Sequence, residues 1–359
     1  MNADMNMVLR EAARARRAVG LWLLVIAAMI GVMVVLGGAT RVSGSGLSIM
    51  EWAPLAGVLP PLSGAEWRRL FALYQQIPQY HLLHEGMDLA GFKAIFWLEW
   101  THRLWGRLMG VAFFLPLVVF WWRGWLARRL AARLVGIFLL GGLQGAVGWF
   151  MVASGFFPDS TAVAPARLVI HLGLALALYA AVLWTGFAEL IPDPPRGSVA
   201  LVRAGARLTL ALVAITILAG GFVAGLHAGL DYNTFPLMDG HLVPAGYARL
   251  APIWRNFDEN IAAVQFDHRL LASLSLLAAL VTLLAASRQW RRLSPLARRG
   301  LAALGGVILL QFLLGVTTLL LVVPAPLAVF HQAGAVLALT ASLFTVYALR
   351  VPDPRKDVP

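Results

Sequence analysis

Long apolar runs recur along the whole chain, and short polar segments separate them. Each run extends over about 20 residues or more, which is long enough for a helix to cross the roughly 30 Å hydrocarbon layer of a membrane. The pattern therefore predicts an all-α, polytopic membrane protein with eight transmembrane helices. The predicted helices cover residues 18–39, 94–122, 134–153, 165–191, 208–226, 261–286, 301–323 and 327–349.

The composition agrees with this pattern. Hydrophobic residues make up 60% of the 359 residues and charged residues only 13%, against roughly 45–50% and 25% in a soluble domain. A soluble core cannot account for such an apolar excess, so the bilayer is the expected solvent. The chain contains no cysteine, which excludes disulfide bonds and thiolate-ligated metals.

The net charge of +12 arises largely from basic patches in alternate gaps between the apolar runs. Cytoplasmic loops of membrane proteins collect Lys and Arg, so the patches predict that both termini and every second loop are cytoplasmic. We predict a multi-pass protein of a bacterial inner membrane, and we attribute the charge to topology rather than to nucleic-acid binding. The first apolar run exceeds the 7–15 residues, roughly, of a signal-peptide core, which predicts a retained helix. The patches are residues 10–17, 123–133, 196–207, 288–299 and 350–356.

The two halves of the chain resemble each other, and each carries a histidine in its second and in its fourth predicted helix. A repeat of four helices returns the chain to its starting side, so the halves should be parallel and related by a pseudo-twofold axis along the membrane normal. We predict two four-helix-bundle repeats, residues 1–191 and 192–359, with one site in each. The matched motifs are Gly37-Gly38 with Gly220-Gly221, Gly46-Leu47 with Gly229-Leu230, His102-Arg103-Leu104 with His268-Arg269-Leu270, and Leu143-Gln144 and Gly148 with Leu310-Gln311 and Gly315.

Half of the eight histidines lie inside predicted membrane helices, where an ionisable side chain is costly and usually functional. One such histidine could serve only to hydrogen-bond neighbouring helices. Four at matched positions and similar depth instead predict two pairs of ligands. These residues are His102, His171, His268 and His331. The loop histidines, which we expect to be solvated and to which we assign no role, are His81, His84, His227 and His241.

A pair of imidazoles on facing helices of an apolar bundle suits the two axial positions of haem iron. Zinc or copper is the alternative, although a bare metal site normally brings three or four His or carboxylate ligands together. We therefore favour haem in both halves. Arg103 and Arg269 each directly follow one of the histidines, at the depth where haem propionates would emerge. Each Arg could pair with a propionate or extend toward lipid headgroups.

The halves differ at one position in the helix that carries the first histidine of each pair. Glu99 precedes His102 by three residues on the same helix face, whereas the corresponding residue before His268 is Gln265. A carboxylate beside a haem pocket could accept or relay protons during an oxidation. A hydrogen bond to a neighbouring helix is the alternative role. The difference predicts a reactive site in the first half and an electron-holding site in the second.

Distinctive motifs occur in both halves. They are Gly37-Gly38-Ala39-Thr40-Arg41, Ser45-Gly46-Leu47-Ser48, Trp52 with Pro54, Pro60-Pro61, Gly86-Met87, Phe92-Lys93-Ala94-Ile95-Phe96, Glu99 with His102-Arg103, Gly106-Arg107, Leu143-Gln144, His171, Phe266-Asp267-His268-Arg269 and His331-Gln332. Together these motifs resemble the haem A synthase family, in its cysteine-free class, over nearly all of the membrane part of the chain. One position that is often Glu in that family is Gly91 here, and Asp88 is nearby.

The resemblance implies an enzyme that oxidises the C8 methyl group of haem O to a formyl group, through hydroxymethyl and hydrated-aldehyde stages. The product would be haem A for cytochrome oxidase assembly. The resemblance also implies that His268 and His331 ligate a resident haem b. His102 and His171 would then bracket the substrate haem, with Glu99 beside it. Expected partners are the lipid bilayer, haem O, haem O synthase and oxidase assembly factors, and a homo-oligomer is compatible with the GxxxG-like spacings but not specified by them.

Two other functions share parts of this pattern. A dihaem cytochrome b-like protein, which only passes electrons between a quinol and a partner, would share the four histidines but has no need for a carboxylate in one half alone. A transporter would share the internal repeat and the intramembrane charges. It would, however, need polar groups along a path through both leaflets, and the polar groups here cluster toward one side. The pattern favours the synthase.

Overall fold

The computed structural model describes residues 2–53, 56–158, 160–192 and 199–351. Pro54 of the first loop motif, and Arg196, Arg355 and Lys356 of the basic patches, lie outside the described residues. Within those ranges the secondary structure comprises ten α-helices and several single-turn 3₁₀ segments, with no strand. The helices are α1 (Asn2–Val42), α2 (Gly64–Tyr74), α3 (Pro78–Leu83), α4 (Leu89–Trp122), α5 (Arg128–Ala153), α6 (Pro165–Leu190), α7 (Ala200–Gly225), α8 (Ile261–Ser287), α9 (Pro295–Leu320) and α10 (Ala325–Ala348).

Eight helices of the described chain, all except the short α2 and α3, are long and apolar enough to cross a membrane. The predicted fold class and helix number are therefore confirmed. Helices are required because a backbone in lipid must satisfy its own hydrogen bonds. The end of the molecule that carries residues 43–88 and 226–260 is called the loop end below, and the opposite end, which carries most of the arginines, is called the basic end.

The helices that start at the basic end begin earlier than hydropathy predicts. The observed first residues are Asn2, Arg128, Ala200 and Pro295, against predicted starts at residues 18, 134, 208 and 301. Hydropathy marks only the segment that matches the hydrocarbon layer. The helices extend beyond it through Ala, Leu and Arg residues, which are good helix formers and whose cationic heads suit the headgroup region.

Each helix packs against defined neighbours. In the first half, α1 packs on α4 and α6, and α5 packs on α4 and α6. In the second half, α7 packs on α8 and α10, and α9 packs on α8 and α10. Contacts between the halves are made by α1 with α10, and by α6 with α7 and α10. A continuous apolar core, which includes Leu23, Val182 and Leu304, joins these helices.

A small folded cap covers the loop end of the first half. Its aromatic core includes Trp67, Tyr74 and Phe92. The Tyr74 hydroxyl donates to Gln79 Oε1 at 3.0 Å and lies 2.6 Å from His84 Nδ1. The Gln79 amide in turn donates to the main-chain oxygens of Gly44 and Thr161, at 3.2 Å each. Burial raises the pKa of Tyr74, so the hydroxyl stays protonated and holds the cap onto α1 and the α5–α6 connection.

Candidate functional site

The four intramembrane histidines lie on α4, α6, α8 and α10. Within each half these are alternate transmembrane helices, and each histidine points toward a glycine on the transmembrane helix that precedes its own in the chain. His102 faces Gly37, and His171 faces Gly148. The other two histidines face Gly220 and Gly315 in the same way. The histidines are only partly exposed in each case.

His268 and His331 lie opposite each other across the second half. Their ring centres are 6.5 Å apart, and their planes are nearly perpendicular, at 89°. Because a metal–imidazole bond is about 2.0–2.1 Å long, this spacing admits one metal atom between the two rings. His268 Nδ1 lies 3.1 Å from the main-chain oxygen of Thr216. That oxygen can only accept, so Nδ1 carries the proton and the lone pair of Nε2 is available for a metal.

His102 and His171 occupy the corresponding positions in the first half, on α4 and α6. Glycine makes this close approach of helix and imidazole feasible. A methyl group built on Gly148 would lie 2.9 Å from His171 Cε1, and one on Gly315 would lie 2.8 Å from His331 Cε1. Both distances are shorter than ordinary van der Waals contact. Any larger residue would push the ring out of place.

Two glutamines contact the imidazole rings of His171 on α6 and His331 on α10. Gln144 Nε2 donates to the main-chain oxygen of His171 at 3.1 Å and lies 3.2 and 3.3 Å from the two ring nitrogens. Gln311 Nε2 donates to the main-chain oxygen of His331 at 2.9 Å and lies 3.1 Å from Nδ1. The sequence motifs contain both glutamines, but sequence reasoning gave them no role. Their repeated placement four residues before a histidine-facing glycine was the available signal.

Glu99 is 4% exposed and accepts a hydrogen bond from Arg103 Nε at 2.6 Å. Arg103 also donates to the main-chain oxygens of Ile49 and Glu51, at 2.8 and 3.0 Å. The guanidinium therefore joins Glu99 to the first segment of the loop end. The side chain is bonded within the protein, and its pairing with a propionate stays a prediction.

The second half repeats this arrangement with an amide in place of the carboxylate. Arg269 donates to Gln265 Oε1 at 2.9 Å and to the main-chain oxygens of Tyr232 and Thr234. Arg269 is thus also bonded within the protein, and its pairing with a propionate likewise stays a prediction. Gln265 Nε2 donates to the main-chain oxygens of Ala228 and Asp231, at 2.7 and 2.6 Å. A carboxylate cannot donate these two bonds, so the amide serves a structural purpose here that Glu99 cannot serve.

The polar residues near these sites that sequence reasoning left without a role are explained by local bonds. Asp88 caps the N-terminus of α4 by accepting the Gly91 amide at 2.8 Å. Asp267 accepts the Tyr247 hydroxyl at 2.8 Å and so ties the second loop segment to α8. His84 is partly buried and bonded to Tyr74, so the expectation of a solvated side chain was wrong for it.

For the other loop histidines, the expectation of solvated side chains is confirmed. They are His81, His227 and His241.

The donor set fits haem better than a bare ion. Among the described residues, no group of three or more His, Cys, Asp or Glu side chains is arranged to hold a metal ion. Two facing imidazoles, in contrast, suffice for the axial positions of haem. Arg269 Nε adds a buried N–H that has no acceptor within the described part of the chain. A haem propionate would satisfy such a donor.

Comparison with known proteins gives the family. The sequence model of the cytochrome oxidase assembly protein family matches residues 20–343. Over 339 residues, the chain is 59% identical to the haem A synthase of Granulibacter bethesdensis, covering 94% of this chain and 88% of that protein. The chain belongs to the haem A synthase family.

Other members of the haem A synthase family match over a similar length. The haem A synthase of Rhodospirillum centenum is 48% identical over 350 residues, covering 97% of this chain and 92% of that protein. The haem A synthase of Azorhizobium caulinodans is also 48% identical, over 334 residues, or 92% and 94% of the two chains. The similarity therefore includes the regions that carry all four intramembrane histidines.

Gly315→Ala should weaken haem binding in the second half, because the added methyl group would displace the His331 ring. Overpacking of this kind costs about 1–3 kcal/mol, or roughly 5- to 150-fold in affinity. The measurement is a haem b titration of purified protein in detergent, followed by absorption. Gly306→Ala is the matched control on α9, because nothing lies within 4 Å of its added methyl group. Equal affinity in the two variants would mean that the Gly315 contact does not position the ligand.

Proposed function

We propose that this chain is a haem A synthase, an oxidoreductase that converts the C8 methyl group of haem O into a formyl group. The observation that carries the proposal is the difference between two matched sites. Each site has a histidine pair and an Arg that ties a loop to the helix, but only the first has a buried carboxylate, Glu99, where the second has Gln265. The identity to haem A synthases over nearly the whole chain supports the same activity.

The two halves would have separate tasks, as repeats of residues 1–191 and 192–359. His268 and His331 would hold a resident haem b that transfers electrons. His102 and His171 would bracket haem O as the substrate. The ring spacing in the second half supports a permanently ligated haem there.

Free space beside α5 supports placing the substrate in the first half. A methyl group built on Gly141 or Gly145 meets no atom within 4 Å. Both share the helix face of Gly148, which contacts the His171 ring. At the matched positions α9 has Ile308, which is buried in the core, and Phe312, which packs on Phe235 at 6.1 Å. Haem O carries a bulky isoprenoid chain, and only the first half lacks the side chains that would exclude it.

Haem, when bound, would supply the iron chemistry of the oxidation, while the protein supplies binding, orientation and electrostatics. Glu99 would accept protons released from the methyl group as it is oxidised. Its bond to Arg103 holds Oε1 in place, and the loop oxygens of Ile49 and Glu51 hold Arg103. The cap above α4 would limit water access to this carboxylate. Arg103 and Arg269 would in addition bind the propionates, for which Arg269 Nε has a spare hydrogen.

The membrane setting follows from the same arrangement. The basic end would face the cytoplasm of a bacterial inner membrane, with both termini on that side. The histidine sites would then lie in the outer half of the bilayer, below the loop end. Haem O would arrive from haem O synthase within the membrane, and haem A would leave to oxidase assembly factors.

The deciding experiment is extraction of the haem from protein purified from cells that make haem O, with each species identified by chromatography and mass. Haem b together with haem O, its hydroxylated form or haem A would support the synthase. Two equivalents of haem b alone would instead favour a dihaem electron carrier, because that protein needs the same four histidines. Absence of haem from the well-folded protein would refute both functions.

Replacing the histidines separates the two tasks. His268→Ala or His331→Ala should lose haem b, because one axial bond of the resident haem is removed. His102→Ala or His171→Ala should abolish haem A formation while haem b is retained. Haem b content and haem A yield, measured on the same preparations, check this assignment. Loss of haem b from all four variants alike would contradict it.

Glu99→Gln should leave both haem sites intact but slow haem O oxidation by about 100-fold or more, the usual contribution of a proton-transfer group. The bond to Arg103 can persist in this variant, since Arg269 donates to the amide oxygen of Gln265 at the matched position. The measurement is the rate of haem A formation, with haem content as the control for folding. Wild-type turnover in this variant would remove Glu99 from the mechanism.

Gly145→Phe should block haem O without affecting haem b, because it restores the bulk that Phe312 has in the second half. Haem O and haem b are measured in the same extract. Gly136→Phe is the control, since Gly136 is on another face of α5 and is also unobstructed. Normal haem O content in Gly145→Phe would show that the substrate does not occupy this face.

A further inference from the structure

We infer that His102 is the exchangeable axial ligand of the substrate haem and that His171 is the fixed one. This inference rests on the proposed function, in which the first half must take up haem O and release haem A at every turnover. Uptake and release require the bonds to both histidines to form and break, and the less firmly held ring is the one that exchanges first while the haem is bound. The structure distinguishes the histidines by what holds each ring in place.

Three of the four rings are held by a second bond. His268 Nδ1 donates to the Thr216 oxygen on α7, which fixes both the tautomer and the ring plane. Gln144 on α5 lies against both ring nitrogens of His171 and bonds to the main chain of the same residue. Gln311 on α9 does the same for His331. Each bond comes from the helix that precedes the histidine's own helix, so ring and bundle move together.

His102 differs from the other three histidines in its hydrogen bonding and in the orientation of its ring. Within the described residues, no hydrogen bond is made by its ring. The ring is also turned: Nε2 and Cδ2 are the atoms nearest to Gly37, whereas the other histidines present Cε1 to their glycine. The residue matched to Thr216 is Met33, and its oxygen does not take part in a bond with His102. The orientation of this imidazole is therefore set by packing alone, without a second hydrogen bond to hold it.

The identity of the exchangeable ligand also decides which side of the substrate becomes accessible. Glu99 lies three residues before His102 on the same face of α4. Release of His102 would therefore open a coordination position on the side of the haem that Glu99 faces. Release of His171 would open the opposite side, which is covered by Gln144 and Gly148. Because His171 is held and His102 is not, the coordination position that opens lies next to Glu99. This residue is the only buried carboxylate among the described residues.

The test compares His102→Ala and His171→Ala, each purified from cells that supply haem O. We expect His102→Ala to retain haem O as a five-coordinate, high-spin species that takes up added imidazole, and His171→Ala to lose haem O. Haem b in the second half is the internal control for folding in both. Equal haem O content in the two variants, or retention in His171→Ala alone, would overturn the inference. Absence of haem O, of its hydroxylated form and of haem A from the wild type would instead count against the proposed function.

Carbon monoxide provides a measurement that needs no variant. In reduced wild-type protein loaded with haem O, we expect it to bind the substrate haem by displacing His102 and to leave haem b six-coordinate. Binding of carbon monoxide to haem b alone, or to neither haem, would contradict the inference that the first half has an exchangeable ligand.

The glutamines give a matched pair of variants for the fixed ligands. Gln144→Leu should weaken haem O binding and Gln311→Leu should weaken haem b binding, each by about 10- to 100-fold, as is usual when a partner of a metal ligand is lost. Each variant should leave the other haem unchanged, and carbon monoxide should then be able to displace His171 in Gln144→Leu and His331 in Gln311→Leu. Unchanged affinity and spectra in Gln144→Leu would show that His171 is not held by this contact.

Discussion

The close contact between an imidazole ring and a glycine on the preceding transmembrane helix is the constraint on which both sites depend. It appears in each half twice, at Gly37, Gly148, Gly220 and Gly315. Without a Cβ, the helix backbone itself forms the wall of the pocket, so a histidine can reach the bundle interior without separating the helices. A membrane interior offers no hydrophobic drive to bring helices together, and small residues make their close packing favourable. The same residues that allow the helices to associate therefore also set the positions of the ligands.

Much of this arrangement could be predicted from the sequence. Hydropathy predicted the helices because the bilayer fixes their apolar length. The four histidines could be identified because an ionisable side chain is rare inside a membrane helix. Helix starts at the basic end were missed because arginine-rich segments continue a helix beyond the hydrocarbon layer. The roles of Gln144 and Gln311 were missed because their bonds join different helices and depend on ring orientation. The same holds for His84, whose partner Tyr74 meets it only in the folded cap.

The loops at the two sites are fixed by the same device, an Arg that bonds to two main-chain oxygens. Arg103 and Arg269 tie loop segments to the helices at the two sites, and both do so from the helix turn that carries a histidine. Loop position and ligand position are thereby linked through one helix. A guanidinium is suited to this task, since its donors diverge in a rigid plane and its charge does not depend on pH. Any propionate that binds at Arg269 Nε would join a network that is already ordered.

The two sites share this framework but differ in one side-chain group, which is a carboxylate at Glu99 and an amide at Gln265. Gln265 uses its amide nitrogen to donate to the oxygens of Ala228 and Asp231, so its presence is explained by structure alone. Glu99 has no hydrogen to donate as a carboxylate, and its partner Arg103 could bond to an amide oxygen equally well, as Arg269 does. Burying a charge in place of that amide costs stability. The structural roles therefore differ: Gln265 bonds to the loop main chain through its amide nitrogen, whereas Glu99 bonds to Arg103 and remains the residue that we propose for proton transfer.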